Sequence, residues 1–304
     1  MKRVVIAGGT GFIGSHLAQH LVQHGYEVVV LGRSVKNTSS GIRSVVWDGR
    51  TAGDWYTWLD GAEAVVNLAG RSVDCVKTPE NCDEILRSRV DATRVIGQAL
   101  KLCKRAPKVW VQMSTAHIYG DPAEVKITEE DAFGYGLAPT VGQAWEASLL
   151  ESLPDGMREV RLRTSFVIGR DGGALASLAR IARMGFGGRI GSGRQGMSWI
   201  HEADMSGIIR EAIENPNYEG AYICSSPEPV SQLVFMETLR KTVGMPIGLP
   251  APEWLVRIGA SLVLRTDPEL ALYGRYVYPA RLQKQGFSFQ FPSLESAMRD
   301  LLNR

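Results

Sequence analysis

Seven residues directly after the apolar run 4–7 have the types and spacing to hold a dinucleotide: Gly8, Gly9, Thr10, Gly11, Phe12, Ile13 and Gly14. Gly8 and Gly9 permit a sharp exit from a strand, Gly11 lets backbone approach a pyrophosphate, and Gly14 lets the next helix lie close to the sheet. The start of that helix offers unpaired N–H groups and the positive end of a dipole to phosphate. A second signal follows at Gly32, Arg33 and Ser34. Proteins that choose NAD place an acidic side chain near the end of the second strand, where it binds the ribose 2′-hydroxyl. Here the position holds Arg33, whose guanidinium can grip a 2′-phosphate and stack on adenine with no carboxylate to repel it, so NADP(H) is the expected cofactor. Asn67, Leu68, Ala69 and Gly70 end a third apolar run, and their small side chains suit a wall against which adenosine and ribose lie.

These residues need a frame. Apolar strands are expected at 4–7, 27–31, around Val45, at 64–68 and at 108–113. Helices alternate with them. The first carries Ile13, Leu17, Ala18, Leu21 and Val22 on one face and stops at Gly25; another, over 84–103, turns Ile85, Val90, Val95, Ile96 and Leu100 inward. That alternation predicts an α/β fold of the Rossmann type, a doubly wound parallel sheet. From about Thr164 the pattern changes to glycine-rich loops with a helix at 174–184, a strand at 222–224 and helices at 231–243 and 294–302. We read a nucleotide-binding domain over 1–165, which also receives 198–225. A smaller mixed α/β substrate lobe then comprises 166–197 and 226–304.

Other classes fit poorly. The chain of 304 residues has no apolar run approaching the roughly 18 residues of a membrane span, and its N-terminal apolar stretch lacks a signal-peptide pattern, so a cytoplasmic protein is expected. A formal charge of +2 with scattered Lys and Arg argues against a nucleic-acid partner. Cys75, Cys82, Cys103 and Cys224 have neither metal-site nor disulfide-framework spacing. His16, His20 and His24 recur every four residues on the first helix, but they fall with Ser15, Gln19 and Gln23 on the side away from the apolar stripe, so no metal is expected.

GGTGFIG at 8–14, NLAG at 67–70, STAHIYG at 114–120 and WIHEAD at 199–204 resemble an extended short-chain dehydrogenase/reductase. A narrower resemblance, to NADP-binding epimerase-family proteins with a DUF1731 tail, rests on RTSFVIGRDGGA at 163–174, GGRIGSGRQ at 187–195, and the Pro-Ala-Arg-Leu and Gly-Phe pairs at 279–282 and 286–287. The resemblance implies pyrophosphate contacts from Thr10, Gly11, Phe12 and Ile13, 2′-phosphate contacts from Gly32 and Arg33, and ribose contacts from Leu68 and Ala69. It also places Glu84, Arg89 and Ser114 at the cofactor pocket, Arg89 standing where most extended members have asparagine.

The same resemblance implies a Ser or Thr, a Tyr, and a Lys four residues after the Tyr as the proton-handling set. Thr115 fills the first role. Registering Glu146 on the family helix puts Ala138 at the Tyr position and Gly142 at the Lys position, and neither can carry a proton. Tyr119 is the leading substitute, four residues past Thr115, with Tyr135 a weaker one. His201 is expected to titrate near neutral pH or to fasten the substrate lobe, with Asp204 capping the next helix. Two readings follow: an NADP(H)-dependent oxidoreductase or epimerase on a small carbonyl, hydroxyl or nucleotide-sugar-like substrate, or an NADP(H)-binding sensor without hydride chemistry.

Overall fold

The computed structural model describes residues 1–34, 40–122, 126–259 and 267–303. Its centre is a seven-stranded sheet made of β1 (Arg3–Ala7), β2 (Glu27–Gly32), β3 (Ile42–Val46), β4 (Ala64–Asn67), β5 (Val109–Thr115), β6 (Arg158–Thr164) and β10 (Gly220–Cys224). The spatial order is β10-β6-β5-β4-β1-β2-β3, and every pairing is parallel. Parallel strands are covered on both faces, so they read as continuous apolar runs: Val4, Val5, Ile6 and Ala7 are all fully buried. The chain adds β2 and β3 on one side of β1 and then crosses back to add β4 on the other, and the carboxyl ends of strands beside such a switch form the ligand crevice of open α/β sheets.

Two helix layers cover the sheet. On one face α1 (Phe12–Gln23) packs against α5 (Glu202–Glu214), with Leu17, Leu21, Ile208 and Ile209 in one core. On the other face α2 (Pro79–Leu100) packs against α3 (Leu137–Ser152), and Ile96, Leu100 and Leu149 share a second core with Trp55 and Leu59. α2 begins five residues before the expected start at Glu84, because Thr78 caps it by accepting from the Asn81 N–H at 3.2 Å and Pro79 occupies its first turn.

Beyond β6, the short strands β7 (Phe166–Ile168) and β9 (Trp199–His201) pair with each other. Near them α4 (Leu175–Ile181), α6 (Gln232–Thr242) and α10 (Leu294–Leu302) enclose a third core around Trp199, Phe235, Leu239 and Met298. The helix expected over 174–184 changes at Ala182 into a wide turn ending at Phe186, where Gly185 takes φ 85°. β8 (Gly196–Met197) and β11 (Val230–Ser231) make a two-residue antiparallel pair, and α7 (Glu253–Gly259), α8 (Glu269–Leu272) and α9 (Ala280–Lys284) are short tail helices. Among the described residues no helix is long and apolar enough to cross a membrane, and no group of three or more His, Cys, Asp or Glu could hold a metal ion.

Candidate functional site

At the end of β1, Gly8, Gly9 and Gly14 have no room for a side chain. A Cβ on Gly8, whose φ is +75°, would lie 2.9 Å from the Ala69 nitrogen; one on Gly14 would lie 2.6 Å from the Gly9 Cα. So β4 and α1 both press on the turn. Gly11 differs: its φ is −79°, and a Cβ there would meet only the Gly8 carbonyl at 3.4 Å. Gly11 caps α1 without a side-chain hydrogen bond, and the first turn of the helix contains no acidic residue. The geometry is a helix N-terminus held ready for an anion supplied from outside.

Thr10 packs its side chain against Gly32, where a Cβ would fall 2.7 Å from the threonine methyl. The Phe12 ring lies in a cup formed by Gly169, Gly172 and Gly173, so the loop after β7 closes directly over the phosphate turn. Leu68 donates its N–H to Ala7 O at 2.9 Å, and the Ala69 N–H is held by the buried Asn67 carboxamide at 3.1 Å. That carboxamide is itself fixed by donating to Thr93 and Gln112 at 3.2 and 3.0 Å.

Arg33 is exposed at the end of β2 and has no ion-pair partner among the described residues. Arg89 stands over Gly70, with its guanidinium 5.0 Å from the Trp145 ring centre and Nη1 donating to Ile85 O at 2.9 Å. Burial lowers it to about 10, still charged at neutral pH, and no carboxylate among the described residues offsets it. Glu84 does not share this pocket's chemistry: its carboxylate is gripped through both oxygens by Arg50 at 3.0 and 3.1 Å, tying α2 to the turn after β3.

Ser114 and Tyr119 are also placed otherwise than expected. The Ser114 hydroxyl is buried and donates to Glu146 at 2.7 Å. Tyr119 is 3% exposed, and its hydroxyl accepts from Arg163 Nη1 at 2.7 Å. Burial pushes the phenol up to about 12 despite the neighbouring guanidinium. The phenol is shut in on a cation, where the sequence expectation had it facing substrate. The centre of this cluster is Glu146, on which Arg163 places Nε and Nη2 at 2.8 and 2.9 Å. Burial alone would raise the Glu146 carboxyl; the Arg163 fork outweighs it and holds the group below the usual carboxylate range. Sequence reasoning used Glu146 only as a register mark and missed Arg163, because nothing local signals that β6 and α3 meet there.

Thr115 ends β5 partly exposed, and its Oγ1 accepts from the His117 N–H at 3.1 Å. Its hydroxyl proton has no acceptor among the described residues. Gly142 of α3 lies directly behind: a Cβ there would sit 3.2 Å from the Thr115 methyl and 3.1 Å from Ile118. Ala138 and Tyr135 are both exposed, Tyr135 at 97%.

His201 fastens the tail. Its Nδ1 caps α5 by accepting from the Ala203 N–H at 3.1 Å, its Nε2 lies 3.4 Å from Asp300, and its ring stacks on Phe291 at 3.9 Å. Burial holds its pKa below 6.5 in spite of Asp300. Asp204 is therefore not the cap; its buried carboxylate accepts the Gln290 and Phe291 N–H groups at 2.7 and 3.1 Å. His16, expected on the solvent side, reaches Glu202 of α5 at 2.9 Å, because α1 has a second neighbour besides the sheet.

The model of the NAD dependent epimerase/dehydratase family matches residues 4–223. The chain belongs to that family. In this family member residues 251–301 also match DUF1731, a domain of unknown function. The human epimerase family protein SDR39U1 is 31% identical over 306 residues, covering 99% of each chain, and YfhF of Bacillus subtilis is 31% identical over 301 residues, covering 98% of this chain and 97% of its own. A chloroplastic SDR39U1 homologue of Arabidopsis thaliana is 30% identical and covers 98% of this chain and 86% of its own. The crystal structure of human SDR39U1 isoform 2 with NADPH superposes with a TM-score of 0.87 at 29% identity over 98% of both chains. In this epimerase/dehydratase-family chain the residue of α3 that lies against Thr115 is Gly142, which carries no side chain.

Proposed function

We propose that the chain binds NADP(H) along the carboxyl edge of β1, β2 and β4 and uses it as an oxidoreductase or epimerase on a small carbonyl or hydroxyl compound. The observation that carries this reading is the backbone cradle at Gly8–Gly14, open only at Gly11 and the uncapped start of α1. The residues present fit the group. The first-turn N–H groups of α1 would take the pyrophosphate, Arg33 the 2′-phosphate, Leu68, Ala69 and Gly70 the ribose, and Arg89 a remaining phosphate or ribose oxygen. The SDR39U1 structure with NADPH supports the same choice. When bound, the nicotinamide supplies or accepts a hydride.

Thr115 orients the reacting oxygen. Its hydroxyl proton, without an acceptor among the described residues, is donated to that oxygen, and a water delivers or removes the net proton. The test is NADPH consumption by the purified protein with a panel of aldehydes, ketones, oxo acids and nucleotide sugars. Turnover that falls on Thr115→Val with NADPH affinity unchanged supports the reading. Ala138 and Gly142 favour a second one, an NADP(H) sensor; tight NADPH binding with no consumption across the panel decides for it.

A further inference from the structure

The tail delivers a partly buried cation to the mouth of β5. Its segment 274–278 crosses the ends of β5 and β8 and is pinned throughout. Gly274 N–H donates to Asp121 Oδ1 at 2.7 Å, Arg275 N–H to Gly196 O at 3.0 Å, Val277 N–H to Ser198 Oγ at 2.8 Å and Tyr278 N–H to Ile127 O at 2.7 Å. Gly196 and Gly274 lie backbone to backbone, with no room for a side chain on either. The Arg275 side chain, so fixed, donates Nε to Gly120 O at 2.6 Å. Its two terminal nitrogens have no acceptor among the described residues.

Facing it is His117, in the single turn Ala116–Tyr119 that follows β5, whose ring nitrogens also have no partner among the described residues. Burial, then the charges of Arg275 and Lys77, drive His117 well below 6.5, so the imidazole is neutral at neutral pH. Two acids are near, and both are occupied. Lys77 is answered by Asp267 at 3.6 Å, while Asp121 is taken by the Gly274 N–H and forms no ion pair with Arg275. Arg275 is thus a partly buried guanidinium whose two terminal nitrogens meet no acceptor among the described residues, lowered to about 10 by burial against the opposing charge of Asp121. A guanidinium fixed in this way presents a preorganised fork to an anion.

We propose that the end of β5 takes a small molecule whose anionic group, carboxylate or phosphate, lies on the Arg275 fork beside the His117 imidazole. This rests on the reading that Thr115 holds the reacting oxygen, and it narrows the substrate. His117 is two residues from Thr115, a span of at most about 7 Å. The anion and the reacting carbon are therefore close neighbours in one compound, as in an oxo or hydroxy acid or a phosphorylated hydroxy ketone. Neutral His117 contributes a hydrogen bond without adding a second charge.

The experiment is calorimetric titration of oxalate, and separately of inorganic phosphate, into wild-type protein saturated with NADPH and into the protein alone. Binding of one probe, weakened tenfold or more by Arg275→Gln and less by Arg275→Lys, with NADPH affinity unchanged, is expected; which probe binds separates carboxylate from phosphate. The His117 ring signals of the wild-type protein shift on adding the bound probe, a readout independent of whether Arg275→Gln folds. Failure of both probes to bind, undiminished binding by Arg275→Gln, or unmoved His117 signals overturns the proposal. Failure of NADPH with retained probe binding overturns instead the cofactor reading and leaves the anion site standing.

Discussion

Arg33 and His16 show how much a single side chain's meaning depends on what lies opposite. Arg33 is exposed and has no ion-pair partner among the described residues, so Arg33→Ala removes only what it gives a ligand. NADPH affinity is expected to fall about 10- to 100-fold, the equivalent of about 1.5–3 kcal/mol for hydrogen bonds to a charged group, with NADH affinity unchanged in parallel titrations; equal losses would remove the 2′-phosphate role. His16 faces Glu202, and the hydrogen bond between them, against the cost of burial, raises the imidazole above 6.5. Its contribution to stability is therefore complete below 6.5 and is lost as pH climbs through the raised value. His20, one turn on, is lowered to about 4 by burial and by His24, so its contribution runs the other way and is lost as pH falls from 6.5 towards 4. Urea unfolding of the apoprotein should show stability declining above neutral pH in the wild type, with His16→Gln flattening that limb and His20→Gln flattening the acid one. Arg33 was legible because strand-end chemistry is local. The His16 partner was not: a helical wheel separates one apolar stripe from everything else, whereas α1 meets both the sheet and α5, whose residues lie nearly 200 positions along the chain.

Elements place the site by how closely their backbones approach, and the glycines of the phosphate turn separate folding from binding. Gly14→Ala would put a methyl on Gly9 and push α1 off the turn, costing about 1–3 kcal/mol, as overpacked positions do. Gly11→Ala meets nothing closer than 3.4 Å at an ordinary φ, so the protein should melt as the wild type does while its NADPH affinity falls tenfold or more. A Gly11→Ala variant that binds normally would show that no ligand approaches the turn. Most of the sheet was legible, since buried parallel strands announce themselves as apolar runs. α10 falls where the periodicity put it, at Leu294–Leu302. The short strands β7, β8, β9 and β11 carry too few residues to show a period. The Arg163–Glu146–Ser114 cluster was illegible for a related reason: β5, β6 and α3 each supply one polar residue to it, and each looks unremarkable in its own segment.

At the scale of the whole molecule, the tail and the sheet are joined through buried polar groups as well as through shared apolar cores, to which the tail contributes Leu282 and Val277. Asp204 at the start of α5 accepts two N–H groups of the segment leading into α10, His201 stacks on Phe291 and approaches Asp300, and Arg275 and Ser198 bind the other tail segment to the mouth of β5. Burial raises the Asp204 carboxyl above its ordinary value, while the two N–H donors oppose that shift. Asp204→Asn keeps the volume but turns one acceptor into a donor, leaving the Gln290 or Phe291 N–H without a partner inside the protein. An unmade buried hydrogen bond costs about 1–3 kcal/mol. If tail and sheet unfold together, that loss should appear as a lower midpoint of a single transition, and saturating NADPH, bound more than 100-fold above its Kd, should offset it by about 2.7 kcal/mol. If the tail opens alone, limited proteolysis of Asp204→Asn should cut within 286–303 before the sheet melts, and NADPH affinity should survive while binding of any anion at Arg275 weakens. The tail would then be the part of the fold that completes the substrate pocket, and the sheet with α1 the part that suffices for the nucleotide.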